Sequence, residues 1–556
     1  MAVLFTPKHP WKVLRKRSTG GKIISLFIAG QFENLAELQF LTSKETLNLS
    51  SIKDLLNKEN GQFSLLIETD GFILGAVDKI RSYPLFIDCK NTKISNHAQS
   101  ISKELNEKNV NEKGLLEFMM SGFVMGNATL NYEVLALQAG QLFFKKQDEK
   151  FGCLVEYFCY SPNPQPSQQN DLSSQITKFN VVLDNAIKRS LDVIGENQVW
   201  VPLSGGLDSR LVLSKLKEHG CQNLFSFSYG SIRNFEARTA RRIAKMLDVP
   251  WVMIPSELGE ARQLSLNKIR MDYENFAYGF SSIPAYTEFQ VFYHASKHKI
   301  IPKGAFIVNG QTGDFISGGH IPEQLFKLGN VGNENEKKEV LLNYILDKHF
   351  SMWTQLKTEE NLEFISLQIE RELVSKNNHL DNISNLIRQY ESFEWRERQA
   401  KIVVHGQRCY DFFGYNWTLP LWDSEIINYF EKLPFDQKYQ QAFFRAYLKS
   451  YNYKGVFRTL SAKPENWRWF QLWIVLIAQV VGILLGVEAK KHFYKKMLFF
   501  GFSRFQYELF GKVAYMKNVK NLRNMISLSL IDFLERQRLF QSKNKFMKKY
   551  WNHLLR

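Results

Sequence analysis

The chain has 556 residues, which at roughly 150 residues per domain is length for about three to four units. Hydrophobic residues at 44% and charged residues at 23% exclude a wholly disordered chain, a collagen-like repeat and a coiled-coil rod. The net charge of +17 is uneven: from Lys490 to Arg556, 16 Lys and Arg stand against Glu508, Asp532 and Glu535, giving +13. Such a block either asks for an anionic partner (a membrane surface, a polyphosphate or a nucleic acid) or is a solvated helical face. It carries no recognised nucleic-acid module, so no specific nucleic acid is expected. Five scattered cysteines with no C-x-x-C pair exclude a disulfide framework and a cysteine zinc site, and a reducing cytoplasm is the expected setting.

Near the N-terminus, Lys12, Arg15, Lys16 and Arg17 precede the apolar run IISLFIAG, Ile23 to Gly30. The run is short and Gln31 and Glu33 follow at once, so it predicts a buried strand rather than a signal peptide. FSLLIET, FILGAVD, YPLFIDC and QLFFKK alternate with Gly, Asn and Asp turns and predict a small, mostly β unit over residues 1–160. SPNPQPSQQND, residues 161–171, predicts an extended linker. Beyond it, Ile176, Phe179, Leu183, Ile187 and Leu191 recur at helical spacing. VWVPL, LFSFSYG and VPWVMIP read as strands with helices between them, and this βαβαβ rhythm implies a parallel sheet within a unit spanning 172–465. Residues 329–339, GNVGNENEKKE, read as a surface loop, and 343–428 as mainly helical.

The last unit, 466–556, opens on FQLWIVLIAQVVGILLGV, residues 470–487, which holds no charge. Trp467, Trp469 and Trp473 lie at one end and Lys490, Lys491, Lys495 and Lys496 beyond the other. A spanning helix needs about 20 apolar residues. Three readings stay open: a buried core helix, a helix lying on the membrane surface, and a span.

The motif that carries chemistry is SGGLDSR, Ser204 to Arg210, between a strand and a helix. Gly205 and Gly206 let the backbone turn tightly and point N–H groups at a phosphate. Ser204 and Ser209 add hydroxyl donors, and the helix that follows presents its positive end. Asp208 would repel a phosphate by itself, so its place there suggests a bridging Mg²⁺. The Walker A spacing is absent.

This loop resembles the pyrophosphate loop of N-type ATP pyrophosphatases, and specifically of asparagine synthetases. The resemblance covers about residues 171–460. It implies an adenine nucleotide α-hydrolase-like parallel-sheet domain, with ATP and Mg²⁺ as cofactors and a reaction that adenylates a carboxylate, releases pyrophosphate and admits ammonia. On that resemblance Leu203 to Ser209 grip pyrophosphate, and Phe227 and Ser228 of LFSFSYG meet adenine. Gly310 and Asp314 of IVNGQTGDFISGG match the family's second motif, and Asp314 with Asp208 completes a two-carboxylate magnesium site. Lys454, Arg458 and Lys463 are candidates for the cation that steadies pyrophosphate, and Arg233 or Arg238 for a phosphate or substrate contact. The family's glutamate in the second motif, a base for ammonia, is Gln311 here. Gln takes no proton at neutral pH, so His320 and Glu323 become candidates for that work or remain surface residues. The stretch from His405 to Pro434 resembles the segment that follows in the family.

Gly61 to Ile87 and Gly114 to Gln141 resemble the Ntn-glutaminase domain of the same enzymes, in reduced α+β form. That domain uses an N-terminal Cys as nucleophile. This sequence opens Met1-Ala2-Val3, its nearest cysteine is Cys89, and the glutamine-binding motif is represented only by AGQFEN, Ala29 to Asn34. The expected nitrogen source is therefore free ammonia, a separate glutaminase or another amine. GQTGDFISGGHIP and the reduced N-terminal unit resemble asparagine-synthetase-like proteins of surface-polysaccharide (O-antigen) biosynthesis. That implies a uronic acid, nucleotide- or lipid-linked, as the carboxylate partner, and a site in the cytoplasm, peripheral to the membrane. Two other readings stand beside it: an ammonia-dependent asparagine synthetase or other acyl-adenylating ligase, and a non-catalytic scaffold at the membrane.

Overall fold

The computed structural model describes residues 3–17, 23–43, 47–103, 109–164, 171–230, 235–255, 262–264, 267–328, 333–373, 382–460, 469–502, 516 and 527–537. Short apolar runs separated by polar turns build the N-terminal part. Its strands are β1 (Val3–Leu4), β2 (Lys12–Arg17), β3 (Ile23–Gly30), β4 (Phe63–Glu68), β5 (Phe72–Val77), β6 (Phe86–Asp88), β7 (Ile94–Ser95), β8 (Val134–Ala136), β9 (Gln141–Lys146) and β10 (Cys153–Glu156). Six of them form an antiparallel sheet in the order β10-β9-β5-β4-β3-β2, and the other four a small sheet in the order β1-β7-β6-β8. Leu26, Ile28, Leu65 and Ile67 point to one face of the large sheet. There they meet Ile52, Leu55 and Leu56 of α2 (Leu49–Lys58) and Leu38 of α1 (Leu35–Ser43). Phe27, Leu66 and Ile73 point to the other face and pack on Ile87 and Ile94 of the small sheet. Both faces are covered, so IISLFIAG is the buried strand that its sequence predicts.

α3 (Glu112–Ser121) packs beside the small sheet, sharing a core with Phe86, Val134 and Ala136. Leu115, Phe118 and Met119 join a core with Tyr278, Trp353, Phe393 and Phe533. Residues of the N-terminal part therefore share cores with the rest of the chain.

The second part opens with α4 (Leu172–Ile194), which buries Phe179, Leu183 and Ile187 along the predicted face. Then come β11 (Val199–Pro202), α5 (Leu207–Glu218), β12 (Leu224–Gly230), α6 (Phe235–Leu247) and β13 (Trp251–Pro255). β14 (Phe306–Val308) and β15 (Asn416–Thr418) complete a sheet in the order β13-β12-β11-β14-β15, with every pair parallel. The order runs outward from β11 in one direction and then resumes on its other side at β14. This reversal opens a crevice at the carboxyl ends of β11 and β14, the place where open parallel sheets bind ligands.

Two sequence readings change. Residues 334–339 are not loop: they begin the helix Glu334–His349. Asn333 caps it through the Glu336 N–H, and Glu336 bonds back to the Asn333 N–H. This capping box outweighs the polar composition that suggested a loop. Residues 470–487 form most of the helix Trp469–Leu485, and Val487 starts the next, Val487–Phe502. It is not a core helix, because Trp473, Leu476, Ile483, Leu484 and Leu485 are all more than half exposed. Among the described residues no helix is long and apolar enough to cross a membrane.

Candidate functional site

Two turns after adjacent strands make the site. β11 ends at Pro202, Leu203 to Gly206 turn the chain, and Leu207, Asp208 and Ser209 open α5. The Leu203 N–H donates to the Phe227 carbonyl at 2.8 Å. The Gly206 N–H donates to Ser204 Oγ at 3.0 Å, and the Ser204 N–H to Ser209 Oγ at 3.2 Å. Buried Arg210 holds the turn from behind. Its Nη2 donates to the Gly205 carbonyl at 2.8 Å, and its Nη1 to the Val456 and Thr459 carbonyls at 3.0 and 2.9 Å.

The second turn, Asn309 to Thr312, joins β14 to the short helix Gly313–Ile316. It lies so close to the first that only glycine fits at two positions. A Cβ on Gly310 would stand 2.6 Å from Ser209 N, and one on Gly313 would stand 2.6 Å from Asp208 Cγ. This approach lets the Asp314 N–H donate to Asp208 Oδ2 at 2.8 Å. The turns floor a cavity of about 760 Å³, whose walls include Ser228, Tyr229, Glu236, Glu288, Phe292 and Tyr410. That volume lies within the usual range for small-molecule sites.

The electrostatics centre on a chain of acids and bases. Burial, with Asp314 beside it, raises the Asp208 carboxyl to about 8. Burial also works against ionisation of Asp314, but the hydrogen bond and charge of His320 hold it below its ordinary value. His320 Nε2 lies 3.1 Å from Asp314 Oδ2, and its Nδ1 is bonded to the fully buried Glu394. Burial would lower His320, yet these two carboxylates raise it to about 9. It is an imidazolium at neutral pH. Glu394 stays ionised because His320, Lys348 at 3.0 Å and Tyr390 all turn polar hydrogens on it. Asp208 and Asp314 suit a divalent cation: two carboxylates from separate turns face one cavity, and the like charge that raises Asp208 is what such a cation relieves. Another acidic cluster, Asp184, Glu218 and His219, is occupied by Lys215 Nζ at 2.8 and 2.9 Å from the two carboxylates.

The structure brings Leu203, Ser204, Gly206, Leu207, Asp208, Ser209, Ser228, Gly310 and Asp314 to the cavity wall. Gly205 lies behind it, its carbonyl taken by Arg210. Phe227 is fully buried and packs edge-on against Phe292, so the Ser228, Tyr229 and Gly230 end of β12 reaches the cavity instead. Lys454 is exposed over the Tyr453 ring, and Arg458 is exposed nearby; Arg210 ties their segment to the phosphate turn. Glu323 is exposed at the start of its helix, and Arg238 is exposed on α6. Lys463 and Arg233 lie outside the described residues. Gln311 lines the cavity and accepts a 2.7 Å hydrogen bond from Gln407. Glu288, Tyr410, Lys348 and Glu394 escaped the sequence reading. They come from helical stretches whose periodicity reports only that a face is buried.

Residues 178–469 match the family model of asparagine synthase. The match covers more than half of the chain, and the chain belongs to that family. Two solved structures are similar at a low level. One is "the allosteric regulatory enzyme of purine biosynthesis", at 13% identity over 44% of this chain and 62% of that one, with a TM-score of 0.15. The other is a glutamine phosphoribosylpyrophosphate amidotransferase from B. subtilis complexed with ADP and GMP, at 12% identity over 55% of this chain and 60% of that one, with a TM-score of 0.16. The chain thus spans about six tenths of the length of each, and likeness at these scores carries no argument about fold. No curated protein matches.

Proposed function

We propose that this protein is an ATP-dependent amide-forming ligase. The observation that carries the reading is the meeting of Asp208 and Asp314 at the carboxyl ends of β11 and β14, over a glycine- and serine-rich turn at a helix N-terminus. In this reading the acceptor's carboxylate oxygen attacks the α-phosphorus of ATP, and the bond from that phosphorus to pyrophosphate breaks. The lone pair of ammonia then attacks the acyl carbon, the bond to the AMP oxygen breaks, and the surplus proton on nitrogen leaves. Mg²⁺ held by Asp208 and Asp314 would supply charge neutralisation to the departing pyrophosphate.

Ser204, Ser209 and the amides of Leu207 and Asp208 at the start of α5 orient the phosphates. His320 does not serve as the base, because two carboxylates keep it protonated; it fixes the orientation of Asp314. The carboxylate of Glu288, on the cavity wall beside Tyr229 and Tyr410, is the proton acceptor in place of the glutamate that Gln311 replaces. Lys454 and Arg458, tied to the turn through Arg210, and Lys463 further on, remain the cations assigned to pyrophosphate.

The acceptor assigned is a uronic acid of a surface-polysaccharide precursor, supported by the sequence resemblance of Gly310 to Pro322. The aromatic walls Tyr229, Phe292 and Tyr410 suit a sugar or nucleobase face. The N-terminal sheets are assigned as a reduced glutaminase-like unit, supported by AGQFEN in place of the glutamine-binding motif. Nitrogen then arrives as ammonia, free or from a separate glutaminase.

The test is AMP release from ATP and Mg²⁺ with ¹⁵N-ammonia and a panel of nucleotide- and lipid-linked uronic acids, read by mass spectrometry. AMP with a ¹⁵N-amide product is the expected result. ADP as the nucleotide product would overturn the chemistry. AMP with aspartate alone as acceptor would overturn the uronic acid.

A further inference from the structure

The helices Trp469–Leu485 and Val487–Phe502 form a hairpin about Gly486. Gln479 accepts a hydrogen bond from Lys490 Nζ at 2.7 Å, and a Cβ on Gly482 would meet the Lys490 side chain, so the two arms lie side by side. Only Ile474 and Ala478 of the described side chains in the first arm are buried. Trp473, Leu476, Ile477, Val480, Ile483 and Leu484 are exposed, Ile483 to 84%. Their spacing of three and four residues puts them on one helical face, a stripe about 17 Å long. Leu485 and Val487 extend it across the turn, at 73% and 66% exposure.

The hairpin is tethered at both ends. Before it, Val456 and Phe457 lie in the core of the parallel-sheet part. After it, Leu530, Phe533 and Leu534 of the helix Ser527–Arg536 lie in the core that α3 enters, and Arg536 binds Glu274.

Charge names what covers it. The second arm carries Lys490, which bonds Gln479, and exposed Lys491, which pairs with exposed Glu488 at 2.8 Å; its sequence continues with Lys495 and Lys496, and the chain from Lys490 onward carries +13. We propose that the hairpin is a monotopic docking element for an anionic phospholipid bilayer. It lies in the headgroup boundary with the Trp473-to-Leu484 face on the acyl chains and its lysines on the lipid phosphates. An arm of 17 residues, about 25 Å, is short of the roughly 30 Å hydrocarbon core, and the hairpin returns the chain to the side it came from. Apolar contact supplies the depth and the lysines supply the preference for anionic lipid.

The experiment is sedimentation of the full-length protein with vesicles of phosphatidylcholine alone or mixed equally with phosphatidylglycerol, at low and high salt. The expected result is binding to the mixed vesicles, weaker but retained at high salt. The combined variant L476D, I483D, L484D should bind about a hundredfold more weakly, since three apolar side chains lose their cover. It should keep the wild-type thermal melt, because these residues are exposed. The variant K490E, K491E, which leaves the stripe intact, should lose the preference for phosphatidylglycerol. Failure of the wild type to bind either vesicle would overturn the proposal, as would undiminished binding by the triple variant. A wild-type oligomer that the triple variant reduces to monomers, with no vesicle binding, would assign the stripe to a second copy of this chain instead.

Discussion

Two regions of this molecule invert the usual partition of charge and oil, in opposite senses. In the body, Glu391, Glu394, Glu397, Lys401 and Lys438 are at most 1% exposed. At the C-terminal hairpin, Ile483 and Leu484 are 84% and 74% exposed. The body tolerates its inversion because each charge has partners of opposite sign. Lys438 meets Glu391 at 2.7 Å. Lys401 meets Glu397 at 2.6 Å and donates to the Val124 and Gly126 carbonyls, which joins the N-terminal part to the π-helical segment Glu394–Val404. The hairpin's apolar stripe has no comparable cover among the described residues. A buried charge paired with its opposite is a structural device, and an exposed apolar stripe is a surface awaiting contact.

The largest expected effect comes from the charge that faces the cavity. Asp208→Asn should reduce AMP-forming turnover about a thousandfold while the melt stays near that of the wild type; undiminished turnover would remove Asp208 from the chemistry. Next is the buried pair between the two parts. Lys401→Met leaves Glu397 without its cation and should destabilise the fold by about 3 kcal/mol in denaturant unfolding.

A comparable effect, spread over several pH units, is written in the pH dependence of Glu117. Burial, with Glu397 and Glu372 nearby, raises it from 4.5 to about 8. The folded form holds this proton more tightly than the unfolded form, so its contribution to stability is complete below about pH 4.5 and is lost as pH rises through 8. The slope in that window should be about 1.4 kcal/mol per pH unit, and Glu117→Gln should flatten it. The smallest effect belongs to the hairpin. Ile483→Ser with Leu484→Ser should change global stability by at most about 0.5 kcal/mol, because neither side chain is buried. A larger loss, measured by the same denaturant titration without lipid, would mean that the stripe is covered by protein after all.

Much of this was legible in the chain. LFSFSYG and VPWVMIP declared parallel strands, because they alternate with helices in a βαβαβ rhythm that a parallel sheet accounts for. SGGLDSR declared a phosphate turn, because the strand, the glycines and the helix start are contiguous. The partner of Asp208 was legible only through a second motif, 106 residues away. Glu394, Lys348, Glu288 and Tyr410 were not legible, because helical periodicity states that a residue is buried without saying what it faces. Glu334 to Glu339 misled for a different reason: polar composition spoke for a loop, and a single cap at Asn333 decided for a helix.

By itself the sequence determined the elements that depend on near neighbours: the strands set apart by polar turns, the amphipathic helices, the phosphate turn and the length and apolarity of the C-terminal arm. Only the tertiary structure decided which carboxylates meet, that His320 is held between Asp314 and Glu394 as a cation, and that the apolar arm faces outward. Those outcomes depend on contacts between residues far apart in the chain, and the desolvation and charge pairing that govern them exist only once such residues are brought together.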